Sequence, residues 1–161
     1  MTEVPPIVST SGPRRMIVWF LAIGYGAILL TIAFWPSPID RPVAGLLDRV
    51  IRELHERGVP AFIDYTFIEF SANVALFIPV GLLFSLALPR SWWPVMLLCG
   101  PALSALIELA QRELLAERYA TLADVVSNSI GATVGVVLGL ALRAVVAYRD
   151  RRVIANHEST R

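Results

Sequence analysis

Polar residues that could bind a ligand or transfer a proton lie at helical spacing beside three long apolar stretches. Three pairs are four residues apart: Glu69 and Asn73, Ser104 and Glu108, Asp124 and Asn128. Residues at this spacing share one face of a helix, so each pair would present its two polar groups together. Carboxylates accept hydrogen bonds, hold cations or act as general acids and bases, and amides orient a ligand. Gln111 and Arg118 add hydrogen-bond donors nearby.

Four apolar stretches are long enough to carry these residues into a membrane. They cover about residues 16–35, 70–88, 92–109 and 125–147. A helix needs about 20 mostly apolar residues to cross a bilayer core. The chain is 56% hydrophobic and 17% charged, whereas soluble domains are about 45–50% apolar and about 25% charged. We therefore predict an all-α, polytopic membrane protein with a bundle of four transmembrane helices.

The segments around these spans are polar or amphipathic. Residues 1–13 contain Pro, Ser and Thr, and we expect a disordered tail there. Residues 40–58 repeat apolar positions at helical spacing with charges opposite, which predicts an amphipathic helix between the first and second spans. Residues 149–161 form a charged C-terminal tail, so the membrane domain is expected to cover residues 14–148.

Composition argues against several classes of function. All 14 basic residues are arginines, the net charge is +1, and no basic stripe is interleaved with aromatic residues. Nucleic acid is therefore not an expected partner. Cys99 is the only cysteine and has no partner for an internal disulfide. No nucleotide-binding loop or zinc spacing occurs, so we expect no metal and no cofactor.

Glycines and prolines inside the spans predict how the helices pack. Gly131, Gly135 and Gly139 recur every four residues on one face of the fourth span. Small residues at this spacing let membrane helices approach closely. Pro79 and Pro101 lie inside the second and third spans, where each removes a backbone hydrogen bond and is expected to kink the helix.

Four crossings place both termini on one side of the membrane. That side would carry eight arginines and the opposite side six. The pair Arg14 and Arg15 directly precedes the first span, and an arginine cluster follows the last. Because cytoplasmic segments near a span are enriched in Arg and Lys, we expect a multi-pass protein of the cytoplasmic membrane with both termini inside.

This topology brings the polar ends of three spans to the outer face. We call the residues concerned the polar cluster: Glu69, Asn73, Ser104, Glu108, Gln111, Arg118, Asp124 and Asn128. A carboxylate at mid-bilayer costs at least ~2.5–3.5 kcal/mol, so these groups should face each other and water. Taken singly, Asp124 could instead be a helix-start residue, and Asn73 or Asn128 an interhelical hydrogen-bond partner.

Three motifs resemble the VanZ-like family of small bacterial membrane proteins. They are NVALFIPVG at 73–81, SALIELAQ at 104–111 and RYATLADVVSNSIGATVG at 118–135. The resemblance covers roughly residues 65–140 and falls on most of the polar cluster, together with Pro79, Gly81, Gly131 and Gly135. It implies a role in the cell envelope, because the founding member is associated with low-level resistance to the glycopeptide teicoplanin. The family often has a histidine after its first helix; only His55 lies there, and no role is carried onto it.

Three functions fit these observations. In the first, the polar cluster binds or presents an envelope lipid or lipid-linked wall precursor. In the second, Glu108 and Asp124 make the protein a membrane-embedded hydrolase or transferase acting on such a lipid. In the third, several copies form a transporter or channel. The third ranks last, because residues 74–88 and 130–142 below the cluster are almost entirely apolar. A homo-oligomer is compatible with any of them.

The orientation gives a direct prediction. A cysteine at Ala116, in a background where Cys99→Ser removes the native thiol, should react with a membrane-impermeant maleimide added to intact cells. Ala116 lies between the third and fourth spans, which the predicted topology exposes outside. Labelling only after the membrane is permeabilised would show that the orientation is the reverse of the one predicted.

Overall fold

Five α-helices make up most of the part of the chain that the structure describes. The computed structural model describes residues 12–35, 44–114 and 121–158, and no strand occurs within them. The helices are α1 (Gly12–Ala33), α2 (Ala44–Glu56), α3 (Tyr65–Ala87), α4 (Trp93–Leu114) and α5 (Leu122–Glu158). One 3₁₀ turn, Arg90–Trp92, joins α3 to α4. The predicted all-α architecture is confirmed.

Four of these helices are long and apolar enough to cross a membrane. They are α1, α3, α4 together with the preceding 3₁₀ turn, and α5, and the mean hydropathy of their most apolar windows is 1.6–2.2. Large apolar side chains such as Phe20, Leu98 and Leu106 are exposed on their outward faces. Hydrocarbon is as apolar as these side chains, so a membrane accepts them without further cover. The protein is a multi-pass membrane protein.

Helix α3 lies at the centre of the bundle. It packs most extensively against α5 and also contacts α1 and α4, while α4 packs against α5. The small buried core joins all four long helices through Leu29, Ala33, Phe77, Val80, Ile107 and Ala132. Because successive spans are antiparallel, α3 and α5 begin at the same end of the bundle, which is also where α1 and α4 finish.

Glycines set the distance between α3 and α5. A Cβ atom added to Gly131 would overlap the carbonyl oxygen of Val74, and one added to Gly135 would overlap that of Ile78. One added to Gly139 would overlap the hydroxyl of Ser85. The helix backbones therefore touch directly, which is the geometry that small residues allow in membranes.

Ala132 occupies the junction of three helices. It is 1% exposed. A Cβ on Gly81 of α3 would overlap its carbonyl oxygen, and a Cβ on Gly100 of α4 would overlap its methyl group. A side chain at either glycine would push α5 away. Helices α3 and α4 therefore each have a glycine where α5 crosses them.

Short local motifs end α2 and begin α3. Gly58 has φ +91, the amide of Gly58 donates to the carbonyl of His55, and the amide of Val59 donates to that of Leu54, both at 3.0 Å. This is a Schellman motif, in which glycine adopts the left-handed conformation that other residues avoid. Asp64 then caps α3 by accepting a hydrogen bond from the amide of Phe67 at 2.9 Å.

The helix ends differ from the predicted boundaries at several points. α1 begins at Gly12, so residues 12 and 13 are helical, while residues 1–11 lie outside the described part. α2 starts at Ala44, and residues 40–43 lie outside it as well. The segment after residue 148, expected as a charged tail, continues α5 to Glu158. No glycine or proline follows Gly139 before Glu158, so nothing in that stretch stops the helix.

Both interior prolines lie in helices that run past them without a break. Pro79 is inside α3 and Pro101 inside α4. Three residues before Pro79, the carbonyl of Leu76 accepts a hydrogen bond from the Tyr25 hydroxyl of α1 at 2.6 Å. Pro79 removes the amide that would bond to the carbonyl of Ala75, and the Tyr25 hydroxyl donates to the next carbonyl in the same turn. A kink at either proline stays a prediction.

The glycine contact predicts a position-dependent effect of one substitution. Gly135→Ala places a methyl group against the backbone of α3 and should destabilise the folded protein by about 1–3 kcal/mol, the usual cost of overpacking. Gly26→Ala in α1 meets no atom within 4 Å and should be neutral or slightly stabilising. Thermal unfolding of both variants in the same detergent measures the difference, and equal unfolding temperatures would contradict the close contact.

Candidate functional site

The centre of the site is a hydrogen bond between α3 and α5. The side-chain amide of Asn73 donates from Nδ2 to Oδ1 of Asp124 at 2.8 Å, and both residues are half-buried. Asn73 lies two turns into α3 and Asp124 in the first turn of α5. The structure thus brings together two predicted site residues that are 51 positions apart in the sequence.

Asp124 is held at the same time by its own helix start. The Thr121 hydroxyl donates to Oδ2 of Asp124 at 2.8 Å and accepts a hydrogen bond from the Asp124 amide at 3.2 Å. This is a capping arrangement, with threonine at the N-cap and the acid three residues later. Both carboxylate oxygens therefore accept a hydrogen bond, and the negative charge lies at the favourable end of the helix dipole.

A second polar contact joins α4 and α5 within the same group. Asn128 donates from Nδ2 to the hydroxyl oxygen of Ser104 at 2.9 Å. Ser104 is completely buried and Asn128 is 8% exposed. Asn128 lies four residues after Asp124, so this contact is about 6 Å deeper along α5 at about 1.5 Å per residue.

The side-chain carbonyl oxygen of Asn128 has no hydrogen-bond partner in the described structure. The atom, Oδ1, is fully buried. Turning the amide by 180° would bury the unpaired donor Nδ2 instead of removing the problem. An unsatisfied buried polar group costs about 1–3 kcal/mol. The site therefore has one buried acceptor that no described residue pairs.

Gln111 departs from the predicted grouping. It is 7% exposed, and its Nε2 donates at 2.8 Å to the backbone carbonyl of Ala33 in the last turn of α1. The last carbonyls of a helix lack intrahelical partners, so a buried side-chain donor is well matched there. The Nε2 of Gln111 therefore joins α4 to α1 beside the site and does not donate to another residue of the polar cluster.

The remaining members of the polar cluster have different surroundings. Glu108 is half-buried on α4, one turn beyond Ser104, and Glu69 is exposed on α3, one turn before Asn73. Arg118 lies outside the described residues. Across residues 12–35, 44–114 and 121–158, no three His, Cys, Asp or Glu side chains are grouped closely enough to hold a metal ion.

The opposite end of the α3–α5 interface is also closed by a polar contact. Arg143 of α5 donates from Nη1 to the carbonyl oxygens of Ser85 and Leu88, at 2.6 and 2.8 Å. Both carbonyls belong to the C-terminal turn of α3, where a cation is favourable. Arg143 follows Asp124 by 19 residues, or about 28 Å of helix, close to the ~30 Å of a bilayer core. The two polar contacts are therefore about as far apart along α5 as the two faces of a bilayer core.

Comparison with known proteins decides the family. The sequence profile described as VanZ/LLP1 matches residues 20–143, which is well over half of the chain. The chain belongs to the VanZ/LLP1 family. No curated protein and no solved structure matches it. The matched region contains every residue of the polar cluster and all of α3 and α4, so the contacts described above lie within the VanZ/LLP1 part of the chain.

Sequence reasoning missed two members of the VanZ/LLP1 site. Thr121 could have been found, since Thr-Leu-Ala-Asp at 121–124 has the spacing of a capping box. The carbonyl of Ala33 could not, because a backbone acceptor gives no signal in residue type. The same holds for Ser85 and Leu88, which bind Arg143 through their backbone.

The Asn73–Asp124 contact predicts an energetic coupling. In a double-mutant cycle, Asn73→Ala and Asp124→Ala together should destabilise less than the sum of the single changes, by about 0.6 kcal/mol and up to about 1.7, the range for interhelical hydrogen bonds in membranes. The control cycle pairs Asn73→Ala with Ser85→Ala, 12 residues further along α3, and should be additive. Unfolding in mixed micelles provides the free energies. Additivity in the first cycle would show that the hydrogen bond contributes nothing.

Proposed function

We propose that the polar cluster binds the headgroup of a cell-envelope lipid or lipid-linked wall precursor at the outer face of the cytoplasmic membrane, and holds or presents it there. The observation that carries this proposal is the unpaired Oδ1 of Asn128, buried one turn below the Asn73–Asp124 contact. A cluster that served only to join helices would be expected to pair its polar atoms with one another, since each unpaired one costs stability.

The kinds of atom in the cluster indicate the chemistry of the ligand. Carboxylates at Glu69, Glu108 and Asp124 and the carbonyl of Asn128 are all acceptors. Acceptors bind hydroxyl, amide N–H or ammonium groups, which sugars and peptides supply. Arg118, between α4 and α5 in the sequence, is the cation of the cluster and would suit a phosphate. A glycosylated or peptide-bearing lipid phosphate combines both chemistries.

Position in the membrane supports a lipid as the carrier of that headgroup. The cluster lies about 28 Å along α5 from Arg143, so it reaches the interface and not the bilayer centre. Exposed apolar side chains of α4 and α5, including Leu109 and Val126, surround it and would contact acyl or isoprenyl chains. A headgroup bound by the cluster could therefore keep its hydrocarbon tail in the bilayer.

Membership of the VanZ/LLP1 family adds an envelope context. The resemblance of the three motifs to a family whose founding member is linked to teicoplanin tolerance favours a wall precursor, because glycopeptides act on those molecules. We extend that role to this chain, with both termini inside and the cluster outside. The proposal needs no chemical step: binding alone would change how much precursor is accessible at the surface.

Neutralising the two half-buried carboxylates of the polar cluster, Glu108 and Asp124, tests the proposal. Glu108→Gln and Asp124→Asn keep the side-chain size and remove the charge. Loss of a charge-assisted hydrogen bond of about 1.5–3 kcal/mol should lower ligand affinity roughly 10- to 100-fold. The measurement is the amount of envelope lipid that copurifies with each variant, determined by mass spectrometry, together with the size of lipid-linked precursor pools and teicoplanin sensitivity in cells.

Glu53→Gln provides the matched control. Glu53 is on α2, outside the polar cluster, where it pairs with Arg57 at 2.8 Å on an exposed surface. It should leave copurified lipid and sensitivity unchanged. The proposal is wrong if the cluster variants reach the membrane in normal amounts and retain the same lipid and sensitivity as this control.

A further inference from the structure

The two ends of the bundle carry opposite charge. At the end where α1 and α4 begin and α3 and α5 finish, the described residues include two acids, Asp150 and Glu158, and seven arginines: Arg14, Arg15, Arg90, Arg143, Arg149, Arg151 and Arg152. We call this the arginine end. The polar cluster lies at the opposite end, so nothing proposed for that cluster explains this excess of positive charge.

Arg143 is fixed in place but uses only one of its nitrogens. Both of its hydrogen bonds, to Ser85 and Leu88, come from Nη1. A guanidinium has five N–H groups, so the three on Nε and Nη2 find no partner among the described residues. The Nε–Nη2 edge is a planar pair of donors that matches two oxygens of a phosphate.

Arg90 places a second positive charge beside the first. It lies in the 3₁₀ turn between α3 and α4, two residues after Leu88, whose carbonyl accepts a hydrogen bond from Arg143 at 2.8 Å. Neither arginine forms an ion pair with an acid within the described residues. The contact with α3 accounts for Arg143 as a helix cap, but the carbonyls of Ser85 and Leu88 are neutral and supply no negative charge to the two cations. An anion between them would supply that charge.

The depth of the pair matches the phosphate layer of a bilayer. Arg143 follows Leu122 by 21 residues, or about 32 Å of helix, close to the ~30 Å thickness of the hydrocarbon core. Trp92 and Trp93, next to Arg90, are 52% and 54% exposed. Exposed tryptophans are typical of the headgroup level. The pair is therefore expected to meet lipid phosphates before any soluble anion.

We propose that Arg90 and Arg143 form a binding site for the phosphate of an anionic phospholipid at the arginine end. The lipid phosphate accepts hydrogen bonds from the Nε–Nη2 edge of Arg143 and an ion pair from Arg90, while its acyl chains lie along the exposed apolar faces of the helices. Arg149, Arg151 and Arg152 lie further along α5, beyond the expected headgroup level, and are not part of this site.

Lipid titration of the purified full-length protein tests this site. The protein in neutral detergent is titrated with phosphatidylglycerol, phosphatidylcholine or glycerol 1-phosphate, and bound lipid is counted by native mass spectrometry. We expect phosphatidylglycerol to be retained more strongly than phosphatidylcholine. Arg90→Gln should weaken retention of phosphatidylglycerol about fivefold or more, the effect expected of one basic residue near an anionic headgroup.

Three further variants separate a site from general attraction. Arg149→Gln is at the same end, one and a half turns beyond Arg143, and Arg49→Gln is on α2 at the other end; both should retain phosphatidylglycerol nearly as wild type. Arg143→Lys keeps the charge and a donor for α3 but loses the planar edge, so it should fold and bind weakly.

Each possible result either supports or contradicts a phospholipid site at Arg90 and Arg143. Equal losses in Arg90→Gln and Arg149→Gln would show diffuse attraction and overturn the site. No preference for phosphatidylglycerol would do the same. Equal binding of glycerol 1-phosphate would assign the site to a soluble phosphate ester and overturn a lipid as its occupant. Selective loss in Arg90→Gln and Arg143→Lys supports the proposal.

Discussion

The rest of the structure depends on how closely α3 approaches α5. In a membrane, apolar side chains gain little by contacting each other instead of lipid, so helix association relies on close packing and on polar contacts. Gly131, Gly135 and Gly139 remove the side chains that would separate the two backbones. At that distance Asn73 reaches Asp124 near one end, and Arg143 reaches the last carbonyls of α3 near the other. The interface is apolar and tight in the middle and polar at both ends.

The polar cluster follows from this geometry and from the need to satisfy buried groups. Asp124 is supplied with donors from two directions, by Thr121 and by Asn73. Ser104 satisfies half of Asn128, and Gln111 turns away to α1. Most residues of the polar cluster therefore form hydrogen bonds that hold the helices of the bundle together. What distinguishes it from ordinary interhelical bonding is the buried Oδ1 of Asn128, which finds no hydrogen-bond partner within the described residues. The proposed ligand would bind beside it.

Much of this could be predicted from the sequence, because hydropathy and spacing determine it directly. Long apolar runs give the spans, and positions four residues apart give shared helix faces, so the polar ends of three spans are expected at the same face of the membrane. The specific pairing of Asn73 with Asp124 is seen only in the structure. The partner of Gln111 could not be predicted, since a backbone carbonyl has no residue signature. The expected charged tail proved to be helix through Glu158, because arginine and alanine propagate a helix as readily as they form a solvated segment.

The length of α5 has a mechanical consequence. The helix has 37 residues and no proline, so it is a single rod about 56 Å long at about 1.5 Å per residue. Its middle is clamped against α3 by backbone contact, which leaves it unable to rotate about its own axis without collision. The part that projects beyond Arg143 is continuous with the turn that carries Thr121 and Asp124, so the two ends of α5 cannot be displaced independently while the glycine contact with α3 is kept.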